Sequence, residues 1–216
     1  MNTFNHIPTN DETIEKIRAV LPSFIDGKRL CHTFSVEEEA LTLCDIFFPC
    51  LNICEKYKSD IRAACLLHDI TKYLSIKEHK EILEKYNECE DVINSSEGVL
   101  HAFSGAYKAR ELFCVNDIVF SAIYFHTTGK ENMNIFEKII FIADYIEKGR
   151  THTECIQTRE FFYKNIYKAE NKMEILDKAI LMSFQNTLSF IQSKGLKVNP
   201  LTHIARLFLL AEYALQ

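Results

Sequence analysis

Residues 61–69 read IRAACLLHD, and this short stretch decides how the chain is expected to fold. Ile61, Ala64 and Cys65 have the spacing of one face of a helix. His68 continues that face one turn later, and Asp69 lies one turn beyond Cys65. The stretch therefore predicts a helix that carries a histidine and an aspartate into the core.

Two further stretches carry a histidine on an apolar helix face. His32 begins one stripe of apolar residues at helical spacing, and His126 ends another. The stripe residues are Val36, Ala40, Leu43 and Phe47 after His32, and Val119, Ala122 and Ile123 before His126. Asp144 lies one turn beyond Ile140, on or beside the buried face of a further helix. Because an unpaired buried carboxylate costs on the order of several kcal/mol, Asp144 needs a cation or a hydrogen-bond donor.

The composition predicts an all-α fold. Of 216 residues, 47% are hydrophobic, and only 6 are glycine and 4 are proline. Asn10 is expected to cap a helix that ends near Leu21 before Pro22, and Ser75 and Glu78 form a capping box for another. We predict further helices at about 29–48 (ended by Pro49), 59–68, 76–86, 102–113, 117–126, 135–147, 158–169, 173–193 and 202–215. No linker or repeat divides the chain, so we predict a single domain over residues 1–216.

The charge distribution excludes some classes of function. The net charge is -5, and no run of lysine and arginine could line extended nucleic acid. The longest apolar stretch, 139–143, is too short to cross a bilayer, and residues 1–11 do not resemble a secretory signal. We therefore expect a cytoplasmic protein with no membrane partner, in which the 8 cysteines are reduced. A small anionic substrate is compatible with this charge if a metal ion binds at the cleft.

The inward polar residues suggest a metal centre. Any one of them has a simpler explanation, because a buried histidine is more often a hydrogen-bonded core residue than a ligand. That explanation weakens when several such residues come from four separate helices, since a core of unpaired polar groups would be unstable. The residues are His32, His68, Asp69, His126 and Asp144. A mixture of imidazole and carboxylate favours iron, manganese, cobalt, nickel or zinc over calcium or magnesium.

Four motifs give the chain a resemblance to a known family. They are LLHDITK at 66–72, HAFSGA at 101–106, YFHTTG at 124–129 and ADYIEKGR at 143–150. With His32 they resemble the HD superfamily of metal-dependent phosphohydrolases and, within it, the YqeK family of symmetrical diadenosine tetraphosphate hydrolases. The resemblance extends from about Arg29 to Leu210.

The chain departs from the family pattern in three places. HAFSGA stands where the family's loop usually reads HGPxGA, and Asn199 stands where the family usually has a histidine. The segment between His32 and His68 is longer than usual. We interpret its residues 47–50, FFPC, as a surface insertion or lid.

The resemblance implies a single-domain HD-type helical bundle, with a core at about 29–150 and C-terminal helices at 158–215 packed on it. It also implies a divalent transition metal, with iron expected first, and one or two ions. By family pattern, a first ion would be held by His32, His68, Asp69 and Asp144. His101 and His126 would then bind a second ion or the substrate phosphates.

The implied reaction is symmetrical cleavage of diadenosine tetraphosphate into two molecules of ADP, with a metal-activated water as the nucleophile. Asp69 and Lys72 are the candidate catalytic residues, the first to orient water and the second to neutralise charge on phosphate. The other candidate substrate contacts are Arg29, His101, His126, Thr127, Thr128 and Arg150. His6, His79, His152 and His203 are expected outside the site, His79 because its neighbours in the chain are charged.

Two alternatives remain open at this point. One is hydrolysis of another nucleotide, either a nucleoside mono- or diphosphate or one related to NAD, because one fold can serve many phosphate chemistries. The other is a non-catalytic nucleotide sensor. A homodimer is also left open.

Overall fold

The computed structural model describes residues 6–214, and within this range it contains eleven α-helices and no strand. The all-α prediction is therefore confirmed. The helices are α1 (Asp11–Val20), α2 (Gly27–Leu51), α3 (Lys58–Leu67), α4 (Ile76–Lys85), α5 (Glu90–Ile93), α6 (Glu97–Phe113), α7 (Asp117–Phe125), α8 (Ile135–Ile146), α9 (Thr153–Ile166), α10 (Lys172–Ser193) and α11 (Pro200–Ala214).

Side-chain caps fix where several helices begin. The Asn10 side chain accepts a hydrogen bond from the backbone of Thr13, as predicted. The predicted capping box between Ser75 and Glu78 is present at α4. Asn134 caps α8 in the same way, and its capping box fixes the start of a helix that is buried along most of its length.

Several helix boundaries differ from the prediction. Helix α6 begins at Glu97 rather than 102, so His101 and the whole HAFSGA motif lie inside the helix. Helices α9 and α11 begin at Thr153 and Pro200, several residues earlier than predicted for α9 and two earlier for α11. The predicted end of the last helix at Leu215 lies outside the described residues. Strong apolar periodicity locates a helix but leaves its first turn poorly defined.

Pro49 does not end α2, which continues to Leu51. Proline removes only one backbone donor so close to the end, and the helix stops instead at Asn52, which has a left-handed backbone (φ 53°). Phe47 and Phe48 are fully buried, with ring centroids 6.4 Å from Phe162 and 5.8 Å from Phe136 respectively. The interpretation of 47–50 as a surface insertion or lid is therefore wrong for these two residues, which belong to the core.

Helix α3 lies at the centre of the packing. It contacts α1, α2, α6, α7 and α8, and its last seven residues are all buried except Arg62. Helix α8 also packs on α2, α7, α9 and α10, while α10 packs on α9 and α11. The end of α3 and the end of α8 therefore face the same region between α2 and α7. The single domain over residues 1–216, with a core at about 29–150 and C-terminal helices at 158–215, stays a prediction.

Within residues 6–214, none of the helices combines the length and the apolar character required to cross a bilayer.

Candidate metal centre

Polar side chains from five helices converge where α3 ends. His32, His68 and Asp144 place their ligand atoms within 4.8 Å of one another, and so do His68, Asp69 and His126. His101, from α6, adds its Nε2 at 3.1 Å from an Asp69 oxygen and 3.2 Å from His126 Nε2. All six residues thus belong to one cluster.

Burial of this cluster is nearly complete on the side of α3, α6 and α7. His68, Asp69, His101 and His126 are each at most 2% exposed. His32 and Asp144 are only partly buried and lie on the side that faces solvent. The cluster is therefore a polar centre inside an apolar bundle, open on one side.

Backbone hydrogen bonds direct two imidazoles into the centre. His68 Nδ1 lies 2.6 Å from the carbonyl of Cys65, and His126 Nδ1 lies 2.6 Å from the carbonyl of Ile123. A carbonyl only accepts, so in each ring Nδ1 carries the hydrogen and Nε2 keeps a lone pair. Both Nε2 atoms face the cluster, in the tautomer that metal ligation uses.

Two buried nitrogens in the cluster have no hydrogen-bond partner: His32 Nε2 and His68 Nε2. His32 Nε2 lies 3.0 Å from Asp144 Oδ1, so two atoms that can each bind a cation lie side by side. Two ligands that share an ion at about 2.1 Å stand roughly 3 Å apart when at right angles, so this spacing fits a shared cation. The donor set and its unpartnered nitrogens therefore fit a divalent transition metal.

Glu147, which the sequence analysis missed, supports His32 from behind. Its Oε1 lies 3.1 Å from His32 Nδ1, and the residue is 2% exposed. A carboxylate that orients a histidine in this way is typical of metal sites. Its other oxygen accepts from the backbone of Gly149, where an added Cβ would lie 2.9 Å from that oxygen. The available signal was its spacing, because Glu147 follows Asp144 by three residues.

Asp69 presents its two oxygens to different neighbours. Oδ2 lies 3.3 Å from His68 Nε2 and 3.9 Å from His32 Nε2, whereas Oδ1 lies 3.1 Å from His101 Nε2. This carboxylate therefore stands between two groups of imidazoles and has one oxygen available for each.

Three cations surround the cluster. Arg29 donates to Asp69 Oδ2 at 2.7 Å, and Arg150 donates to Asp144. The Lys72 ammonium lies 3.0 Å from His101 Nε2 and 3.5 Å from Asp69 Oδ1. Each of these cationic side chains is about 27–32% exposed, so all three reach solvent while contacting the cluster.

The two aspartates of the cluster are anionic. Burial raises the pKa of Asp69, but His68 and His101 outweigh burial and hold the pKa of this carboxyl well below its usual value. Burial also raises the pKa of Asp144, and Arg150 and His32 outweigh it, so that this pKa is likewise well below the usual value. Both carboxyls are thus in the charged state that metal ligation needs.

The histidines differ in their titration. Burial lowers the pKa of His101 to about 4, and burial together with His68 holds the pKa of His126 well below its usual value. Burial lowers the pKa of His32 as well, but the carboxylates of Asp144 and Glu147 outweigh it and leave this pKa raised. His101 and His126 are therefore neutral at pH 7, as metal ligands must be.

The two threonines after His126 take different positions. Thr128 is fully buried and its hydroxyl donates to the carbonyl of Gly129, so the structure does not bring it to an anion. The Thr127 hydroxyl is buried without a hydrogen-bond partner. Gly129 has φ +65°, and an added Cβ there would lie 2.8 Å from the ring of Phe184. Only glycine fits that turn, which fixes the end of α7 beside the cluster.

His79, which was expected outside the site because its neighbours in the chain are charged, is buried behind the cluster. It is 1% exposed, and its Nδ1 lies 2.7 Å from Ser104 Oγ. Ser104 Oγ contacts Thr71 Oγ1 at 3.0 Å, and Thr71 donates to the carbonyl of His101 at 2.9 Å. Leu83, four residues after His79, shares the buried face of α4, and this spacing was the signal overlooked.

A cleft of about 940 Å³ leads from solvent to His32. We call it the metal cleft. Its walls include Asp26, Arg29, Tyr73, Glu147, Arg150 and His152. The cleft is large enough for a nucleotide and carries two of the three cations described above.

Comparison with known proteins identifies one domain family and two similar proteins that share a name. Residues 29–149 match the model of the HD domain family. A Halalkalibacterium halodurans protein named bis(5'-nucleosyl)-tetraphosphatase, symmetrical, is 31% identical over 174 residues, which cover 80% of this chain and 83% of that protein. A Staphylococcus aureus protein of the same name is 31% identical over 186 residues, covering 86% and 88%.

A solved structure is also similar over nearly the whole chain. It is the crystal structure of a predicted HD superfamily hydrolase involved in NAD metabolism, from Clostridium acetobutylicum. The TM-score is 0.78 at 32% sequence identity, and the match covers 92% of this chain and 97% of the other.

Proposed function

Because this chain belongs to the HD domain family, we propose that it is a metal-dependent hydrolase that cleaves diadenosine tetraphosphate symmetrically into two molecules of ADP. The substrate is taken from the names of the Halalkalibacterium halodurans and Staphylococcus aureus proteins. The observation that carries the proposal is the convergence of His32, His68 and Asp144 within 4.8 Å, with two imidazole nitrogens unpartnered.

The ligand assignment follows from the atoms that remain available. His68 has only Nε2 to offer, because Nδ1 is occupied by the carbonyl of Cys65, so it can bind one ion. A first ion would be held by His32, His68, Asp69 and Asp144. If a second ion binds, His101 and His126 would hold it with the other oxygen of Asp69.

We propose iron as the metal, with manganese, cobalt, nickel and zinc as the alternatives, since these ions accept mixed imidazole and carboxylate ligands. Elemental analysis of protein purified without a chelator tests this. Iron at about one or two ions per chain is expected, and a content of calcium or magnesium alone would contradict the proposed ligand set.

The charges of the site favour a polyanionic substrate only when a cation is bound. The carboxylates of Asp69, Asp144 and Glu147 face the cations Arg29, Lys72 and Arg150, so three negative and three positive side chains balance. A bound divalent ion would supply the excess positive charge and would lower the pKa of water toward neutrality.

The charged residues around the metal centre would then each have a separate role in the reaction. With one ion bound, the Asp69 oxygen that does not bind it would accept a hydrogen bond from the attacking water and orient it. Arg29 and Arg150 both line the metal cleft, and their guanidinium groups would bind phosphate oxygens there. Lys72 neutralises the charge that develops on the phosphates.

Product analysis tests the proposed reaction. Protein supplied with Mn²⁺ or Fe²⁺ and diadenosine tetraphosphate should release ADP as the only nucleotide product. Release of AMP and ATP would contradict symmetrical cleavage, and binding without any release would support the sensor alternative. A parallel set of mononucleotides and NAD distinguishes a different substrate from an inactive site.

A further inference from the structure

A second cleft, of about 560 Å³, adjoins the metal cleft on the side of α10. We call it the α10 cleft. Arg150 and His152 line both clefts, so the two clefts adjoin at these residues. The other walls of the α10 cleft include Tyr145, Cys155, Asn186 and Phe190.

We propose that the α10 cleft binds one of the two nucleosides of the substrate, with its base stacked on Phe190. The choice of ligand rests on the proposed function, because only a dinucleotide needs a second nucleoside position. Neither the fold nor the metal ligands require this cleft to have any such role.

The α10 cleft lies where one nucleoside would be held if the central bond of the substrate is at the metal ligands. The bond that breaks lies at the centre of the tetraphosphate, so two phosphates and one nucleoside extend on each side of the metal ligands. Arg150 contacts the cluster through Asp144 and lines both clefts, so it marks the boundary at which the phosphates of one arm would leave the cluster. The nucleoside of that arm would enter the α10 cleft, and the other arm would extend toward Tyr73 in the metal cleft.

The chemistry of the α10 cleft suits a nucleoside. The ring of Phe190 is 61% exposed and lines the cleft, so a base can stack on it. Asn186 and Ser189 offer an amide and a hydroxyl for hydrogen bonds to a base or ribose. The volume of about 560 Å³ lies within the range of ligand pockets.

One contact competes with stacking on Phe190. The Lys194 ammonium lies 5.8 Å from the ring centroid, close to the outer limit of a cation–π contact. An exposed cation–π contact is weak, so a base that displaces Lys194 from the Phe190 ring loses little free energy.

The test compares two ligands that differ in their nucleosides. Protein loaded with Mn²⁺ is titrated by calorimetry with inorganic tripolyphosphate and with diadenosine tetraphosphate in which a methylene group replaces the central bridging oxygen. Phe190→Ala should weaken binding of the dinucleotide analogue about tenfold and leave tripolyphosphate binding unchanged. Phe190→Tyr should restore the wild-type affinity. Tyr167→Ala is the matched control, because Tyr167 is 67% exposed and lines neither cleft.

Three results would overturn the inference: unchanged binding of the analogue by Phe190→Ala, an equal loss for both ligands, or a wild-type protein that binds the analogue no better than tripolyphosphate. These are binding measurements and do not depend on turnover. Failure of the proposed function would be seen separately, as absence of ADP from the wild-type protein with diadenosine tetraphosphate.

Discussion

At the scale of single residues, Asp69 is the side chain on which the cluster depends most. It follows His68 at the end of α3, is 2% exposed, and directs one oxygen toward His68 and His32 and the other toward His101. The paired cations Arg29 and Lys72 partly balance its charge. A neutral side chain at this position would remove a proposed ligand and leave these imidazoles and cations without their common partner.

Asp69→Ala is expected to lose bound metal and to lower turnover at least a thousandfold, on the order of the effect of removing an essential catalytic group. The helical fold should persist, because the apolar faces of α3 are unchanged. Metal content, product formation and circular dichroism check these outcomes together. Asp45→Ala removes an exposed aspartate of α2 paired with Lys58 and should change none of the three. Full metal content in Asp69→Ala would contradict the ligand assignment.

Lys72→Ala should retain metal but lower kcat by about 10- to 100-fold, because an ammonium that meets developing phosphate charge contributes on this scale. Lys72 is 28% exposed in its side chain and contacts His101, so its loss should leave the stability of the core nearly unchanged. Steady-state kinetics with metal analysis measures the effect. Lys77→Ala, at a lysine that is 85% exposed in its side chain, is the matched control. Wild-type kcat in Lys72→Ala would show that this lysine is only a solvated neighbour.

At the scale of secondary structure, the end of α8 is held by a residue of α9. Arg159 donates to the carbonyls of Ile146 at 3.1 Å, Glu147 at 2.6 Å and Arg150 at 3.2 Å. Ile146 ends α8, and Glu147 and Arg150 follow it, so these carbonyls lie at or beyond the last turn, where a helix leaves its acceptors free. The Glu147 carbonyl also accepts from the backbone of Arg150. Asp144 lies in the same last turn, so Arg159 fixes the segment that carries several residues of the site.

Arg159→Ala should lower the free energy of unfolding by about 2 kcal/mol, because three carbonyls lose a charged donor. Metal affinity should fall as well, since Glu147 and Asp144 are then less well positioned. Urea unfolding and metal titration measure the two effects. Arg206→Ala is the control, because Arg206 makes an exposed contact with Gln185 on α11 and α10. Unchanged metal affinity in Arg159→Ala would restrict the role of Arg159 to stability.

At the scale of the whole molecule, a polar cluster occupies the centre of an apolar bundle. The surrounding core includes fully buried residues of α2, α3, α7 and α8. Such a centre is stable when its charges are paired and its lone pairs are used. A bound ion should therefore stabilise the folded protein as well as enable the reaction, because the unfolded chain lacks the assembled site.

Metal-free protein should lose stability as the pH falls from about 6.5 to about 4. In the folded protein burial lowers the pKa of His101 to about 4, whereas in the unfolded chain its pKa is near 6.5. Between these values the unfolded chain binds a proton that the folded protein does not, so lower pH favours unfolding, by on the order of 3 kcal/mol for this histidine. His126 acts in the same direction, and His32, whose pKa is raised, opposes it.

Urea unfolding at a series of pH values, after dialysis against a chelator, measures this dependence. His101→Gln should flatten the curve between pH 4 and 6.5. His203→Gln, at an exposed histidine of α11, should leave the curve unchanged. A stability that is constant across this range in the metal-free protein would contradict neutral burial of His101.

Local sequence was sufficient for the helical fold and for the inward direction of the polar residues. Apolar spacing sets the buried face of a helix, and side chains such as Asn10 and Ser75 set its first turn. For this reason the sequence could place His68 and His126 on buried faces, and the structure buries both. The motifs at 66–72 and 143–150 likewise gave the family, which the HD domain match confirms.

The tertiary structure alone decided how these faces meet. Glu147 contacts His32 across 115 positions of the chain, and His79 reaches Ser104 because α4 packs on α6. Continuation of α2 past Pro49 depends in the same way on Phe47 and Phe48, which are buried against other helices. The period of a helix specifies which side chains share a face, but the distance between two faces depends on the packing of the whole core. That is why the sequence could name inward-facing residues and only the assembled bundle could show which atoms lie within reach of one another.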